Sequence, residues 1–244
     1  MEKKAELHYE GQVFEIPVVT GTENENALDI SKLRVQSGLI TLDRGFKNTG
    51  STESAITFLN GEEGVLRYRG YSIEELAEKY NNTAIDILIN NAGTTGPMGV
   101  PGAMGYQKID SMDYQIWRDI LEVNLLSPFK IATAFHDHIA RSEKKILIMM
   151  SSDLGSVEQN NFGGFYSYRA SKSSLNIISK GMSVDWNDLT VIALAPGWCK
   201  TYLGGDEAEI EPAESVEQQQ EMFENITAKD SGKFLDRFGE EVAW

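Results

Sequence analysis

A single cysteine, Cys199, stands in 244 residues, so an internal disulfide and a multi-cysteine zinc site are both excluded. Histidine is scarce too, limited to His8, His136 and His138. The last two lie two apart on an expected helix, where their side chains point to different faces and make a poor metal pincer. We therefore expect no metal, and a surface or helix-end role for the pair. No run approaches the ~18 apolar residues of a membrane span, and the opening Met-Glu-Lys-Lys-Ala-Glu lacks the apolar stretch of a signal peptide. Clustered Lys and Arg are missing, and the net charge is -15, which argues against a phosphate-binding face. These absences predict a cytoplasmic chain with neither nucleic acid nor membrane as a partner.

What is present divides into two textures. Residues 1–71 read as short strands and turns, with β-rich runs at 12–19 and 55–59. Ser72 then caps a helix running to about Tyr80, with Glu75 as the reciprocal capping-box residue. From residue 85 onward buried strands alternate with amphipathic helices: strands at 85–89, 145–150 and 190–194, helices at 113–139 (broken at Pro128) and 168–184. That alternation is the mark of a parallel sheet covered on both faces, whose site lies at the carboxyl ends of the strands. Between them Gly93, Gly96, Gly99, Gly102 and Gly105 recur every third residue, too briefly for a triple helix, and we read a flexible loop. Residues 205–244 hold 12 Asp and Glu against three basic residues, which reads as a solvated acidic helix surface.

Tyr168 and Lys172 are four apart at the start of a helix, so both project from one face. A phenol of pKa ~10 needs a nearby cation to act as an acid–base group at neutral pH, and a lysine one turn away supplies it. Ser152, after a strand, can hydrogen-bond a substrate carbonyl. Three further features complete an ordered series: Asn90-Asn91-Ala92-Gly93 after a strand, Asn124 in a helix, and Pro196-Gly197-Trp198 with Lys200-Thr201 after the last strand. Over residues 85–244 this series resembles the short-chain dehydrogenase/reductase family. Gly163-Gly164-Phe165-Tyr166 and Gly232-Lys233-Phe234-Leu235-Asp236 resemble its C-factor-like branch.

The resemblance implies NAD or NADP as cofactor and a small carbonyl or alcohol as substrate. Tyr168 would exchange the proton at the carbonyl, with Lys172 lowering its pKa and holding the nicotinamide ribose. Ser152 would polarise the carbonyl, and Asn124 would anchor a water in a proton relay. Asn90, Ala92 and Gly93 would flank the adenosine side of the cofactor, and Gly197 and Thr201 its nicotinamide end. Family members begin with a strand, a Thr-Gly-x-x-x-Gly-x-Gly turn and a helix that holds the pyrophosphate. No trio among Gly11, Gly21, Gly38, Gly45, Gly50, Gly61, Gly64 and Gly70 has that spacing.

In its place residues 38–46, 54–58 and 64–77 resemble the amino-terminal region of citrate synthase, without that family's catalytic residues. The expected fold is therefore α/β: a partial Rossmann-like, doubly wound parallel sheet lacking its first strands, behind a small β-rich segment. We expect domains at 1–79 and 80–244, with the seam inside residues 72–82, and a chimera made by recombination, gene fusion or mis-assembly. Loss of the first strands leaves the strand at 85–89 as a bare apolar edge and predicts association into homo-oligomers. Two functions stay open: an impaired oxidoreductase, and a non-enzymatic remnant that serves as an association module.

Overall fold

The computed structural model describes residues 3–20, 26–41, 57–60, 65–68, 71–97, 107–201 and 203–244. They fall into two units, residues 1–58 with 67–70 and residues 59–66 with 71–244. In the first, β1 (Lys4–Tyr9), β2 (Gln12–Thr20) and β3 (Asn26–Leu28) pair antiparallel in that order. Glu10 and Gly11 turn the first hairpin with φ of 49° and 78°, the pair of left-handed residues that a two-residue loop needs to match strand twist. Among the described residues Ile16 and Leu33 are the buried apolar ones of this unit, the latter on the short helix α1 (Leu33–Ser37). β1 and α1 are absent from the sequence reading, whereas the strand expected at 12–19 is present. The backbone of β4 (Thr57–Asn60), β5 (Val65–Tyr68) and β6 (Tyr71–Ser72) forms a second three-stranded sheet.

The second unit is built on a four-stranded sheet. β7 (Ile87–Asn90), β8 (Ile146–Met150), β9 (Thr190–Ala195) and β10 (Phe234–Asp236) are all parallel, in the order β10-β9-β8-β7. Every residue of β8 and β9 is buried, because alternate side chains enter two different cores. Leu147 and Met149 pack with Ala132 and Ile139 of α4 (Ser127–Ala140) and with Leu175 and Met182 of α5 (Tyr166–Asp185). Ile146, Ile148 and Met150 face the other way, into a cluster with Ile192, Leu194, Leu235 and Met222 of α6 (Pro212–Asn225). This is a doubly wound sheet with both faces covered.

Helix α2 (Ile73–Lys79) starts with the expected capping box: Glu75 N–H donates to Ser72 Oγ at 3.1 Å, and Ser72 N–H to Glu75 Oε2 at 2.8 Å. It belongs to the second unit and packs on α4. Ile73 and Ala77 bury against Phe135, Glu74 pairs with Lys130 at 3.1 Å, and His138 bonds the Ala77 carbonyl at 2.9 Å. His138 is thus at a helix end but buried, not on the surface. Its neighbour His136 turns to a different face and packs against Trp186 with the rings tilted at 49°.

The helix expected at 113–139 is α3 (Tyr114–Leu121), a π turn (Glu122–Leu126) and α4 in direct succession. Pro128 does not break it. The wide turn just before Pro128 absorbs the missing N–H and the ring clash that would otherwise kink an α-helix. Residues 93–97 are irregular, as expected of a loop, and residues 98–105 of the triplet run lie outside the described residues. Of the segments that resemble citrate synthase, residues 42–46, 54–56, 64 and 69–70 lie outside them too.

β7 ends the sheet. Its Ile87 joins the core beside α6, but Ile89, two residues on along the same face, is 41% exposed. Ile148 on the adjacent strand is fully buried. Ile89→Lys should therefore change stability by under about 0.5 kcal/mol and lower self-association in light scattering. Ile148→Ala should cost roughly 2–5 kcal/mol in chemical denaturation. Equal costs for the two substitutions would show that Ile89 is covered.

Candidate active site

The carboxyl end of β8 and the amino end of α5 meet, and there the chemistry converges. α5 begins without a cap of its own. Gly163, Gly164 and Phe165 all have left-handed φ, and Phe165, the cap residue, makes no side-chain bond. Arg169, one turn into the helix, holds that strained approach. Its guanidinium donates to the Gly164 carbonyl at 3.1 Å and stacks over Phe162 at 4.4 Å. Tyr168 and Lys172 then project from the first turns and are 7% and 3% exposed.

Lys172 Nζ donates to the Met150 carbonyl at 2.7 Å and lies 5.7 Å from the centroid of the Tyr168 ring. No carboxylate lies within ion-pair distance of it among the described residues. Burial accordingly pushes the ammonium down to about 8. Burial also pushes the Tyr168 phenol above its ordinary value, the Ser152 hydrogen bond opposes this, and the Asp153 charge adds to it. The expected lowering of the Tyr168 pKa by Lys172 is thus not seen in this geometry. The Lys172 ammonium donates to the Met150 carbonyl, and the influences on the phenol come from burial, Ser152 and Asp153.

Asn124 is fully buried in the π turn. Its Oδ1 accepts from Thr94 N–H at 2.8 Å, and its Nδ2 donates to the Thr94 carbonyl at 2.8 Å and to Ser171 Oγ at 3.0 Å. The side chain is therefore a clamp on the loop after β7. A water at this position would fall to the Asn124 carbonyl, which has no α-helical donor because Pro128 carries no N–H. The clamp holds Gly93 against the acid–base pair: a Cβ added there would stand 3.4 Å from Lys172 Nζ and 3.6 Å from Asn124 Oδ1.

Other expected site residues are placed differently. Asn90 is buried and turned inward, donating to the Pro128 carbonyl at 3.1 Å and contacting Met149 Sδ at 3.2 Å, so it shapes the strand end and offers no side chain to a ligand. Ala92 and Gly93 are exposed. Gly197 has φ of 81°, and a Cβ there would come within 2.5 Å of Ile210 and 2.7 Å of Arg237, so only glycine fits. Thr201 is exposed and bonds within its own turn, accepting from Gly204 N–H at 3.1 Å.

Two features carry no sequence signal. Ser151 Oγ donates to Asn176 Oδ1 at 2.6 Å, a buried bond that pins β8 to α5. Gln107, 1% exposed, reaches Ser167 and Tyr168 from sixty residues away. Among the described residues no three His, Cys, Asp or Glu side chains gather to hold a metal, and no helix is long and apolar enough to cross a membrane.

Comparison with known proteins matches the sequence to two families. Short chain dehydrogenase matches residues 71–211, and citrate synthase, C-terminal domain, matches residues 45–93. C-signal of Myxococcus xanthus is 30% identical over 162 residues, covering 66% of this chain and 93% of C-signal. A citrate synthase of Corynebacterium glutamicum is 43% identical over 94 residues, 38% of this chain but only 22% of that enzyme. Among solved structures, the carbonyl reductase Sniffer of D. melanogaster is similar with a TM-score of 0.63 and 29% identity, covering 70% of this chain and 73% of that one. The NADPH-bound carbonyl reductase from chicken fatty liver has a TM-score of 0.62 at 27% identity, over 71% and 73% of the two chains. A putative short-chain dehydrogenase/reductase from Burkholderia multivorans with bound NADP also reaches 0.62 at 27% identity, over 76% and 75%.

The buried amine makes stability depend on pH in a defined direction. As pH falls from 10.5, the unfolded chain takes up the Lys172 proton first, and the folded chain follows only near 8. The wild type should therefore lose roughly 3 kcal/mol relative to Lys172→Met across that window, with little further change below it. Urea denaturation at pH 7.5 and pH 10 checks this; parallel curves for the two proteins would contradict it.

Proposed function

The chain belongs to the short chain dehydrogenase family, and from that premise we propose that its site interconverts a small carbonyl and the corresponding alcohol with NAD or NADP. The observation that carries this reading is the convergence of Tyr168, Lys172 and Ser152 at the end of β8, beside the clamped Gly93. In the reductive direction Tyr168 gives its proton to the carbonyl oxygen, and Ser152 steadies that oxygen by a hydrogen bond. Proton return to Tyr168 passes through a water on the Asn124 carbonyl. A bound nicotinamide nucleotide would supply or accept the hydride.

The residues present fit the nicotinamide end of that nucleotide. Lys172 has three protons and spends one on Met150, leaving two for ribose hydroxyls. Ala92 and Gly93 offer open backbone, and Gly197 and Thr201 would meet the ring end. The pyrophosphate end fits poorly, since no glycine-rich turn precedes β7 in the sequence. We expect weak binding and impaired turnover for that reason.

We read the chain as a chimera of a citrate synthase-like segment, 1–79, and a reductase catalytic half, 80–244, working in the cytosol. Support comes from the overlap of the two family matches at residues 71–93, where α2 suits either parent. One continuous transcript would oppose mis-assembly as its origin, and two separate genes would establish it.

A second reading has its own support. C-signal is matched over 93% of its length by a stretch that leaves over a quarter of the carbonyl reductase Sniffer unmatched. A relative that short favours a non-enzymatic association module. NADPH titration separates the two readings. The enzyme reading expects saturable quenching of tryptophan fluorescence, weakened at least about tenfold in Lys172→Ala. Quenching that never saturates, or is untouched by that substitution, would favour the module.

A further inference from the structure

We propose that Gln107 is the positioning residue for Tyr168, linking the loop after β7 to the first turn of α5. Its amide is used at both ends. Nε2 donates to the Thr95 carbonyl at 2.9 Å, and Oε1 accepts from Ser167 Oγ at 2.7 Å and from the Tyr168 backbone N–H at 3.0 Å. Helix α5 has no side-chain cap of its own, so Tyr168 N–H is one of the unpaired donors that a helix start leaves behind. Gln107 satisfies it from outside the helix. The neighbouring residue on the other side of the link, Thr94, is held through both its N–H and its carbonyl by Asn124.

The consequence is geometric. The stretch from Gly93 to Thr95 is gripped at Thr94 by the π turn and at Thr95 by Gln107, and Gln107 in turn grips the backbone of the residue that carries the phenol. Any shift of the loop is transmitted to Tyr168, and Gln107 thereby fixes the phenol relative to Gly93 and Lys172. Displacements of about 1 Å at an acid–base group can cost about a hundredfold in rate, so such a link matters although Gln107 touches no reactant. A primary amide suits the position, because it donates to a carbonyl at one end and accepts from a hydroxyl and an N–H at the other.

This inference rests on reading Tyr168 as the acid–base group, and the test keeps the two claims apart. In the full-length chain carrying ¹³Cζ-labelled tyrosine, the Tyr168 hydroxyl is titrated by NMR, with Tyr168→Phe for assignment, alongside amide exchange and NADPH binding. In Gln107→Ala the Tyr168 titration should fall toward the ordinary phenol range as the turn opens. Its amide should exchange at least about tenfold faster, while Tyr114 and the Ile178 amide stay as in the wild type. Gln107→Glu keeps both accepted bonds and should keep Tyr168 amide protection.

An unmoved Tyr168 titration in Gln107→Ala would overturn the proposal, as would loosening spread evenly along α5 to Ile178. If Gln107→Ala does not fold, Gln107→Glu decides: retained Tyr168 protection supports the link, and lost protection overturns it. A moved titration without NADPH binding in the wild type would leave the link standing and sink the catalytic reading. NADPH binding with an unmoved titration would do the reverse.

Discussion

The 2.7 Å bond from Lys172 Nζ to the Met150 carbonyl joins the helix that carries the acid–base pair to the end of the central strand. Much of the site depends on it. A buried amine with no carboxylate partner is costly, and it is tolerated here because the strand end supplies an acceptor and the remaining protons face the clamped turn at Gly93. The same bond sets the depth of α5 over β8, and with it the height of Tyr168 above Ser152. Ser151 and Asn176 repeat the connection one turn deeper, so the pairing of strand and helix does not rest on a single contact.

Around that joint, the loop after β7 is held from two sides. Asn124 reaches it from a π turn, a wide helical segment that Pro128 makes tolerable, and Gln107 reaches it from the far end of the same loop. The acid–base half of the site is thus assembled by side chains lying between residues 90 and 176. Of these, Asn90 falls inside residues 45–93, the stretch that matches citrate synthase, whereas Gln107, Asn124, Ser152, Tyr168, Lys172 and Asn176 fall beyond it. The site residues beyond 93 lie in the short chain dehydrogenase match alone, and α2, inside both matches, packs on α4 through Ile73, Ala77 and Phe135. The citrate synthase match runs to residue 93, past the end of β7, and no Thr-Gly-x-x-x-Gly-x-Gly turn precedes β7 in the sequence.

Three of the four parallel strands, the helices from 72, 113 and 168, and the positions of Ser152, Tyr168 and Lys172 at a strand end and on a helix start were legible in the sequence, because they are written in short-range signals: continuous apolar runs, helical spacing and a capping box; β10 and the bounds of α6 were not. What was not legible depends on contacts between distant residues. Gln107 belongs to no pattern and acquires its role from Tyr168, 61 positions away. His138 is buried only because α2 lies across it. The first hairpin escaped notice because Glu10 occupies a left-handed turn position where Asn or Asp would have announced it. Burial, which raises the Tyr168 phenol, is likewise a long-range property that the Tyr168–Lys172 spacing does not carry.

The central claim is that Lys172 stands buried at the end of β8, assembled with Tyr168 and Ser152. The titration of Lys172 itself, followed at its side-chain ¹³Cε in the unliganded chain, tests this most directly. A midpoint near about 8, well below the exposed lysines, is what the buried amine at Met150 requires; a midpoint close to the ordinary lysine value of 10.5 would show a solvated side chain and no assembled site.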